Sequence, residues 1–277
     1  MPGVVSVVIV THNAFRLVRR SIETLLRNTG SAHEVIVVDN DSRDGTREWL
    51  LRQQDRLRLL QCEHNDGFSP AVNRAAAVAQ GDVLVLLNPD VLVPPGWLPR
   101  LCAHLRPGVG AVGPLATACG RQQTLLGVAA ASQADCVDAD RYVAGRFRGR
   151  SKEVGLLTGF CLACRHETFD DVGGLDPELV LGADDFDLCL RLRRRGLRLL
   201  VAMDVFVLHV GHVSFQAAGA PAERAGAESW DRFRLKWGAE VADMERVFFS
   251  LGTEPVWYAR AEEPPRAGAT PLRPPPP

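Results

Sequence analysis

The chain has 277 residues, of which 46% are hydrophobic and 23% are charged, and its 32 basic side chains nearly cancel its 33 acidic ones. This composition is typical of a globular protein. Because the net charge is only -1, no general field draws the chain to nucleic acid or to an anionic bilayer. We therefore expect no nucleic-acid partner, and any affinity for a polyanion has to come from a local patch.

The cysteines and the lack of a long apolar segment indicate where the protein works. Seven cysteines, an odd number, are scattered among apolar neighbours, which indicates reduced thiols rather than a disulfide framework. Cys161 and Cys164 have no second pair at the spacing of a zinc site. The N-terminus lacks a signal-peptide pattern, and the longest weakly polar stretch, 154–164, is far shorter than the roughly 20 residues that cross a bilayer. We expect no transmembrane segment and a cytoplasmic location, with peripheral association at the inner membrane face left open.

The first part of the chain alternates apolar runs with segments of helical spacing. The runs predict five buried strands, at 4–10, 34–38, 57–60, 83–87 and 109–112. The segments between them predict helices at 15–26, from 44 through 50, and at about 70–80. This alternation predicts an α/β fold with a mainly parallel, Rossmann-like central sheet flanked by helices. Ligands bind such sheets at the carboxyl ends of the strands.

Beyond residue 114 the pattern loosens. For the basic stretch 141–152, a solvated hairpin is favoured over a mobile loop near an anionic ligand. Regular elements are expected again at 156–164, in a helix at 185–195, in a strand at 205–209, and in a helical cap at about 223–237. We expect one domain over 1–252, with a nucleotide-binding half of about 1–113 and an acceptor half with its cap of about 114–252. The Pro, Arg and Ala-rich segment 253–277 is expected to be a disordered tail.

Polar clusters follow four of the predicted strands, where the binding crevice is expected. They are Thr11-His12-Asn13, Asp39-Asn40-Asp41-Ser42, Glu63-His64-Asn65 and Asn88-Pro89-Asp90. Such residues also form turns for purely local reasons, but four clusters at one sheet edge favour a ligand site. We expect the Asp39 carboxylate to point into the crevice, where it could accept an imide N–H from uracil or thymine, or pair with the edge of guanine.

Two residues could bind a divalent cation. Asp90 can offer a carboxylate oxygen to a hard cation that also holds a diphosphate, although Asn88-Pro89-Asp90 taken alone favours a type I turn. His209 ends a predicted strand two residues before Gly211 and could complete the site with Asp90, although a lone strand histidine is commonly structural.

Three carboxylates stand within four residues, at Asp184, Asp185 and Asp187. In the structural interpretation, Asp184 is the N-cap of a helix and Asp187 occupies its N3 position, as in a capping box. That interpretation leaves Asp185 unexplained. At the first helical position its side chain would project outward, free to act as a general base.

Together these motifs resemble the inverting family 2 glycosyltransferases of GT-A fold, and in particular a subset that includes bacterial rhamnosyltransferases. The resemblance covers residues 4 to about 215. It rests on the Thr11-His12-Asn13 turn, on Asp39 to Thr46, on Asn65 to Arg74, on Asn88-Pro89-Asp90, on Asp187-Leu188 with the residues after it, and on His209.

The resemblance implies a role for each of these residues. The implied nucleotide-sugar contacts are Thr11, His12, Asn13, Asp39, Asp41, Asn65, Phe68, Asn73 and Asn88. The implied metal ligands for Mn²⁺ or Mg²⁺ are Asp90 and His209, the acceptor side comprises Gly159, Phe160 and Asp184, and the base is Asp185. Two positions depart from the family pattern: Asn88 replaces the first Asp of an Asp-x-Asp motif, and Asp184 replaces a Glu. The second departure leaves the choice between Asp184 and Asp185 open, with Asp185 favoured.

The resemblance implies transfer of a sugar from a nucleotide-sugar, with a UDP- or dTDP-sugar favoured, to an acceptor hydroxyl. The acceptor stays open among a glycan, a lipid-linked saccharide, a natural product and a protein, and a homodimer is also left open. One alternative is a non-catalytic module that binds a nucleotide-sugar. Another is a nucleotidyltransferase, but the Gly-rich phosphate loop with a Lys that it needs is missing after the first strand.

Overall fold

The computed structural model describes residues 3–30, 33–117, 119, 121–128, 130–211, 213–238, 240–241 and 256–257. Its strands are β1 Val5–Thr11, β2 His33–Asn40, β3 Arg58–Cys62, β4 Val83–Leu87, β5 Val91–Leu92, β6 Val109–Leu115, β7 Leu125–Leu126, β8 Ser151–Val154, β9 Cys161–Arg165, β10 Arg198–Phe206, β11 Leu208–His209 and β12 Val256–Trp257. Its α-helices are α1 Phe15–Asn28, α2 Thr46–Leu51, α3 Phe68–Ala76, α4 Trp97–Cys102, α5 Gln133–Arg146, α6 His166–Asp171, α7 Asp184–Arg194 and α8 Val213–Trp237. Of the expected tail, only the short strand β12 lies within the described residues.

An eight-stranded sheet forms the centre of the molecule. Its strand order is β3-β2-β1-β4-β9-β6-β10-β8, with β8 and β9 antiparallel to their neighbours and the other six strands running in one direction. The mainly parallel α/β prediction is confirmed, and each of the five predicted strands is present. Because β1, β2 and β4 are mostly apolar and buried, they form the parallel centre on which the helices pack, with β3 at the edge.

Helices cover both faces of the sheet, so the core has two parts. On one face, α1, α2 and α4 contribute buried residues such as Ile22, Trp49 and Trp97. On the other face, α3, α5, α7 and α8 contribute residues such as Val72 and Leu188. This three-layer arrangement leaves the carboxyl edge of the parallel strands uncovered by the packed helices. The helical cap is present as α8, which begins ten residues earlier than the predicted 223.

Four predicted elements differ from the structure. Only the end of the segment predicted at 156–164 is a strand, β9, and the strand predicted at 205–209 is the end of β10 followed by β11. The basic stretch 141–152 is neither a hairpin nor a free loop, because its first part completes α5 and its last residues begin β8. The helix predicted at 185–195 begins one residue earlier, at Asp184. Its N-cap is Ala183, in the left-handed conformation with φ of 62° and without a side-chain cap, so no capping box forms. Asp184 therefore occupies N1, Asp185 N2 and Asp187 N4, and the predicted register was wrong by one residue.

Candidate functional site

A cavity of about 700 Å³ opens at the carboxyl edge of the sheet. Its wall includes one or more residues from each of the four polar clusters: Thr11, His12, Asn13, Asn40, Asn65, Asn88 and Pro89. A second wall, from later parts of the chain, includes Thr158, Gly159, Phe160, Asp184 and Asp185, and His209 lines the cavity beside Asp90. The fold thus brings together in one cavity most of the residues that the sequence singled out.

The turn after β1 is fixed by hydrogen bonds to the loop after β2. The Nδ1 of His12 lies 2.7 Å from the carbonyl oxygen of Asn40, and Asn13 Nδ2 lies 3.0 Å from His12 Nε2. Because a carbonyl oxygen only accepts, Nδ1 carries the proton and Nε2 accepts from Asn13. Asn13 and Ala14 have φ of 59° and 63°, a conformation that costs L-residues about 1 kcal/mol or more. The turn is thus held in an unusual conformation where it faces the cavity.

Asp39 does not line the cavity as the sequence led us to expect. Its carboxylate is fully buried, accepts from Arg47 Nε at 2.5 Å, and accepts from the Ser42 N–H at 3.3 Å. Asp41, also outside the cavity wall, has φ of 66° and pairs with Arg43, which holds the pKa of that carboxyl below its usual value. Contact of either residue with a nucleotide stays a prediction.

The segment after β3 joins the first half of the chain to the second. Asn65 Oδ1 accepts from Asn40 Nδ2 at 2.7 Å, and both Asn65 and Phe68 line the cavity. Asn73 lies outside the cavity wall, because its side-chain amide donates to the carbonyl of Leu175 at 2.7 Å and accepts from the N–H of the same residue at 2.9 Å. Asn73 thus fastens α3 to the loop before α7, a structural contact that the sequence pattern did not indicate.

Asp90 and His209 meet as predicted. The turn closes with a 3.3 Å hydrogen bond from the Val91 N–H to the Asn88 carbonyl, and it buries Asp90 behind the cavity wall. Asp90 Oδ1 has no hydrogen-bond partner among the described residues and lies 3.4 Å from His209 Nε2. A buried carboxylate oxygen without a partner is costly unless a proton or cation compensates it.

This pair fits a divalent cation of the Mn²⁺ type, which takes both carboxylate and imidazole ligands. Within the described part of the chain, no group of three or more His, Cys, Asp or Glu side chains could hold a metal. The protein would therefore supply few of the ligands, with the remainder coming from phosphate oxygens and water. His209 also stacks on Phe160, with the ring centroids 5.1 Å apart and the planes 17° apart, which fixes the imidazole orientation.

In the second wall, the buried carboxyl group of Asp184 lies next in sequence to the half-buried carboxyl group of Asp185. Asp185 Oδ2 accepts from the Gly159 N–H at 2.7 Å, and its Oδ1 accepts from the Phe186 N–H at 2.8 Å. Burial raises the pKa of Asp184 to about 8, helped by repulsion from Asp185. Burial also raises the pKa of Asp185. The two N–H donors favour the ionised form and lower that pKa, but burial has the larger effect. Two neighbouring acids with perturbed pKa values in a cavity wall are typical of a catalytic site.

Asp187, the third acid of the cluster, binds other side chains of the protein and has a structural role. Fully buried, it accepts from Trp237 Nε1 at 2.9 Å, from Arg191 Nε at 2.8 Å and from Lys236 Nζ at 2.8 Å. Lys236 also reaches Asp176 at 2.5 Å. These contacts attach the C-terminal end of α8 to α7. The cap therefore packs on the same helix that begins with the two candidate acids.

Gln123 is a site residue that sequence reasoning missed. It is buried, donates from Nε2 to the Pro114 carbonyl at 3.0 Å, and accepts at Oε1 from the Thr158 N–H at 2.7 Å. It therefore links the end of β6 to the loop that carries Gly159. No periodicity or motif around Gln123 indicates this contact, because its partners lie 9 and 35 residues away.

Comparison with known proteins identifies the family. Residues 6–173 match the model described as Glycosyl transferase family 2. An uncharacterized protein, y4gI of Sinorhizobium fredii, is 34% identical over 206 residues, which are 69% of this chain and only 23% of that protein. The N-acetylglucosaminyl-diphospho-decaprenol L-rhamnosyltransferase of Mycobacterium tuberculosis is 28% identical over 276 residues, covering 86% of this chain and 89% of that enzyme.

A solved structure shows the same fold. GalNAc-T7 with UDP, GalNAc and Mn²⁺ superposes with a TM-score of 0.62 at 17% identity, covering 87% of this chain and 50% of that one. The chain thus has the GT-A architecture that its sequence led us to expect. With more than half of its length matched to the family model, the chain belongs to glycosyl transferase family 2.

Proposed function

We propose that the protein transfers a sugar from a nucleotide-sugar, with UDP or dTDP as the favoured nucleotide, to an acceptor hydroxyl, with inversion at the anomeric carbon. One observation carries the proposal: a single cavity brings together the Asp90–His209 pair, beside the wall at the ends of β1 to β4, and the Asp184–Asp185 pair in the second wall. Inversion uses two such groups at one site, because the leaving diphosphate and the attacking hydroxyl lie on opposite faces of the transferred sugar. UDP and Mn²⁺ in the GalNAc-T7 structure support the class of donor.

Asp90 and His209 would hold the divalent cation, which when bound would neutralise negative charge on the departing diphosphate. Asn88 and the turn around it would then face the nucleotide-sugar. Because Asn88 is neutral where the family pattern has a second acid, the site carries one negative charge fewer. We therefore expect the cation to bind weakly alone and more tightly together with the nucleotide.

Asp185 is the favoured base. At neutral pH Asp184, with its pKa raised to about 8 by burial and by repulsion from its neighbour, holds its proton for most of the time and cannot accept another. Asp185 keeps two N–H donors on its oxygens, which stabilise the ionised form that a base needs. Its carboxylate would take the proton from the acceptor hydroxyl as the oxygen attacks. The protonated Asp184 would remain as a hydrogen-bond donor beside the acceptor.

The acceptor class has weaker support. The mycobacterial relative, which the chain matches over most of its length, is named for transfer of L-rhamnose to a diphospho-decaprenol-linked N-acetylglucosamine. Beside Asp184 and Asp185, the cavity wall includes the apolar residues Phe160, Val180 and Leu181. A lipid-linked saccharide is therefore our preferred acceptor.

The test begins with binding. UDP-, dTDP- and GDP-sugars are each added with and without Mn²⁺, and the thermal unfolding midpoint is measured. We expect a UDP- or dTDP-sugar at about a hundred times its Kd to raise Tm by about 5–10 °C, with the larger rise in Mn²⁺. Asp90→Asn should remove the part of the rise that needs Mn²⁺. Asp55→Asn, which changes an exposed carboxylate on another surface, should retain it.

Transfer is tested next. The donor is the nucleotide-sugar that binds, and the acceptor is a monosaccharide linked through diphosphate to a lipid, such as N-acetylglucosaminyl-diphospho-decaprenol. We expect release of nucleoside diphosphate and an inverted anomeric configuration in the product by NMR. Absence of any nucleotide binding would overturn the donor assignment. Tight binding without product from any acceptor would favour the non-catalytic module instead.

A further inference from the structure

A short basic segment, which we call the basic turn, joins α5 to β8 at residues 146–152. It carries four positive charges, on Arg146, Arg148, Arg150 and Lys152, and no acid. The three arginines are exposed, and none of them has a carboxylate within ion-pair distance among the described residues. In a chain whose net charge is only -1, this is a concentrated local charge.

The acids nearest in sequence do not neutralise the basic turn, because each has another partner. Glu153, directly after the turn, pairs with Arg198 at 4.0 Å. Before the turn, Asp135 closes the capping box at the start of α5, Asp138 pairs with Arg141 at 3.1 Å, and Asp140 pairs with Arg100 at 2.6 Å. Asp204, which reaches the turn, accepts from the Gly149 N–H at 2.7 Å and pairs with His104. The positive charge of the arginines is thus presented to solvent.

The basic turn is ordered by its backbone. The Phe147 N–H donates to Val143, the Arg150 N–H donates to Phe147, and the Met203 N–H donates to Arg150 at 3.0 Å. The guanidinium groups of Arg146 and Arg150 lie 5.7 and 5.8 Å from the centroid of the Phe147 ring, one on each side of it in sequence. These contacts keep the arginines close together and reduce the entropy lost when they bind a common partner.

The topology places the basic turn at the same edge of the sheet as the cavity. β10 runs parallel to β6, and β8 runs antiparallel to β10 with Ser151 opposite Ala202. The start of β8, and with it the basic turn, therefore lies toward the carboxyl end of β10. The cavity opens at the carboxyl ends of β1 to β4, on that edge.

We propose that the basic turn is a docking surface for the anionic headgroups of a lipid bilayer. Guanidinium groups bind phosphate oxygens through paired hydrogen bonds, and clustered cations near an anionic surface each contribute about 1 kcal/mol. Four charges within seven residues suit a patch of headgroups better than a nucleic acid, which needs cations spread along successive phosphates. Docking at this edge would present the cavity to a lipid-linked acceptor, but the docking itself requires neither donor nor acceptor.

The experiment measures sedimentation of the full chain with vesicles, without donor or acceptor. Vesicles of phosphatidylcholine alone are compared with vesicles of phosphatidylcholine and phosphatidylglycerol in equal parts, at low and high salt. We expect binding to the anionic vesicles only, and weaker binding at high salt. The triple substitution R146Q/R148Q/R150Q should lower the partition coefficient about a hundredfold, because it removes three such contributions.

A second triple variant controls for net charge. R27Q/R52Q/R56Q removes three exposed arginines, one in the last turn of α1 and two between α2 and β3, and changes the charge equally. It should bind the anionic vesicles as the unmodified chain does, and both variants should unfold at the same temperature as the unmodified chain. Equal loss in the two variants, equal binding to neutral vesicles, or tighter binding to a short DNA duplex than to the anionic vesicles would overturn the proposal. Because no transfer is measured, this result is independent of the proposed function.

Discussion

The two walls of the cavity are built in different ways. On the wall formed by the ends of β1 to β4, polar side chains follow directly after buried strands, and loops of a few residues hold them. On the second wall, two acids begin α7, where Asp184 is buried and Asp185 accepts from a backbone N–H 26 residues away in the chain. The first wall is assembled from local sequence patterns, whereas the second is assembled by tertiary packing. We therefore expect substitutions in the two walls to separate binding of the nucleotide from the chemistry of transfer.

The largest expected effect is that of Asp185→Asn. The amide preserves the shape of the side chain and can still accept from the Gly159 N–H, but it cannot take a proton, so the transfer rate should fall about a thousandfold. Binding of the nucleotide-sugar, measured by calorimetry, should change by less than about threefold, because the donor contacts lie on the other wall. In the unmodified enzyme the rate should rise with pH as the Asp185 carboxyl, whose pKa burial raises, loses its proton.

Asp171→Asn is the matched control for that change. It removes an exposed carboxylate at the end of α6, so both rate and binding should stay as they are. If Asp185→Asn weakened donor binding as strongly as it lowered the rate, the two walls would not act separately and the assignment of the base would be wrong.

A smaller effect is expected from Gly159→Ala, which tests how closely the loop approaches the acid. A Cβ at position 159 would lie 3.0 Å from the Cβ of Asp185 and 3.4 Å from its Oδ2, so the carboxylate has to move by a few tenths of an ångström. Because transfer depends on the position of the base, we expect kcat to fall about 10–100-fold with little change in donor affinity. The measurement is steady-state kinetics with both substrates varied.

Gly145→Ala provides the comparison for a glycine without such a neighbour. Nothing lies within 4 Å of a Cβ added there, in the last turn of α5, so kcat should be unchanged and stability should rise slightly. A normal kcat in Gly159→Ala would mean that the loop can retreat, and that its close approach to Asp185 is not needed for transfer.

The same difference between the walls explains what the sequence could predict. The alternation of apolar runs and helical segments predicted the parallel strands and placed His12, Asn65 and Asn88 at one edge, because each of these lies within three residues of the end of its strand. The spacing of the motifs, through the family resemblance, also paired Asp90 with His209. These predictions needed only the direction of the strands and the rule that ligands bind at their carboxyl ends.

Contacts between distant segments could not be predicted in this way. Arg47, whose guanidinium group binds the Asp39 carboxylate, lies eight residues after Asp39. Nothing in the sequence distinguishes Arg47 from the other arginines. The left-handed conformation of Ala183, which shifts α7 by one residue, is rare for any residue other than glycine and is therefore not expected from sequence. The basic stretch was misassigned because α5 and β8 owe their positions to contacts with β10.

The last expected effect concerns stability rather than transfer, and it tests the burial of the Asp184 carboxyl group. With its pKa raised from 3.8 to about 8 in the folded chain, this carboxyl favours folding fully below about pH 4, and the benefit is lost as pH rises through about 8. Asp184→Asn removes this dependence, because its amide stays neutral. The Tm difference between the variant and the unmodified chain should therefore grow from about pH 4 to about pH 8 and then level off. Between those two values the stability difference should grow by up to about 1.4 kcal/mol for each pH unit. Asp55→Asn, at an exposed carboxyl, should give a curve parallel to that of the unmodified chain at every pH. If the Asp184→Asn curve also ran parallel, the carboxyl would be ionised in the folded protein, and Asp184 would then compete with Asp185 for the role of base.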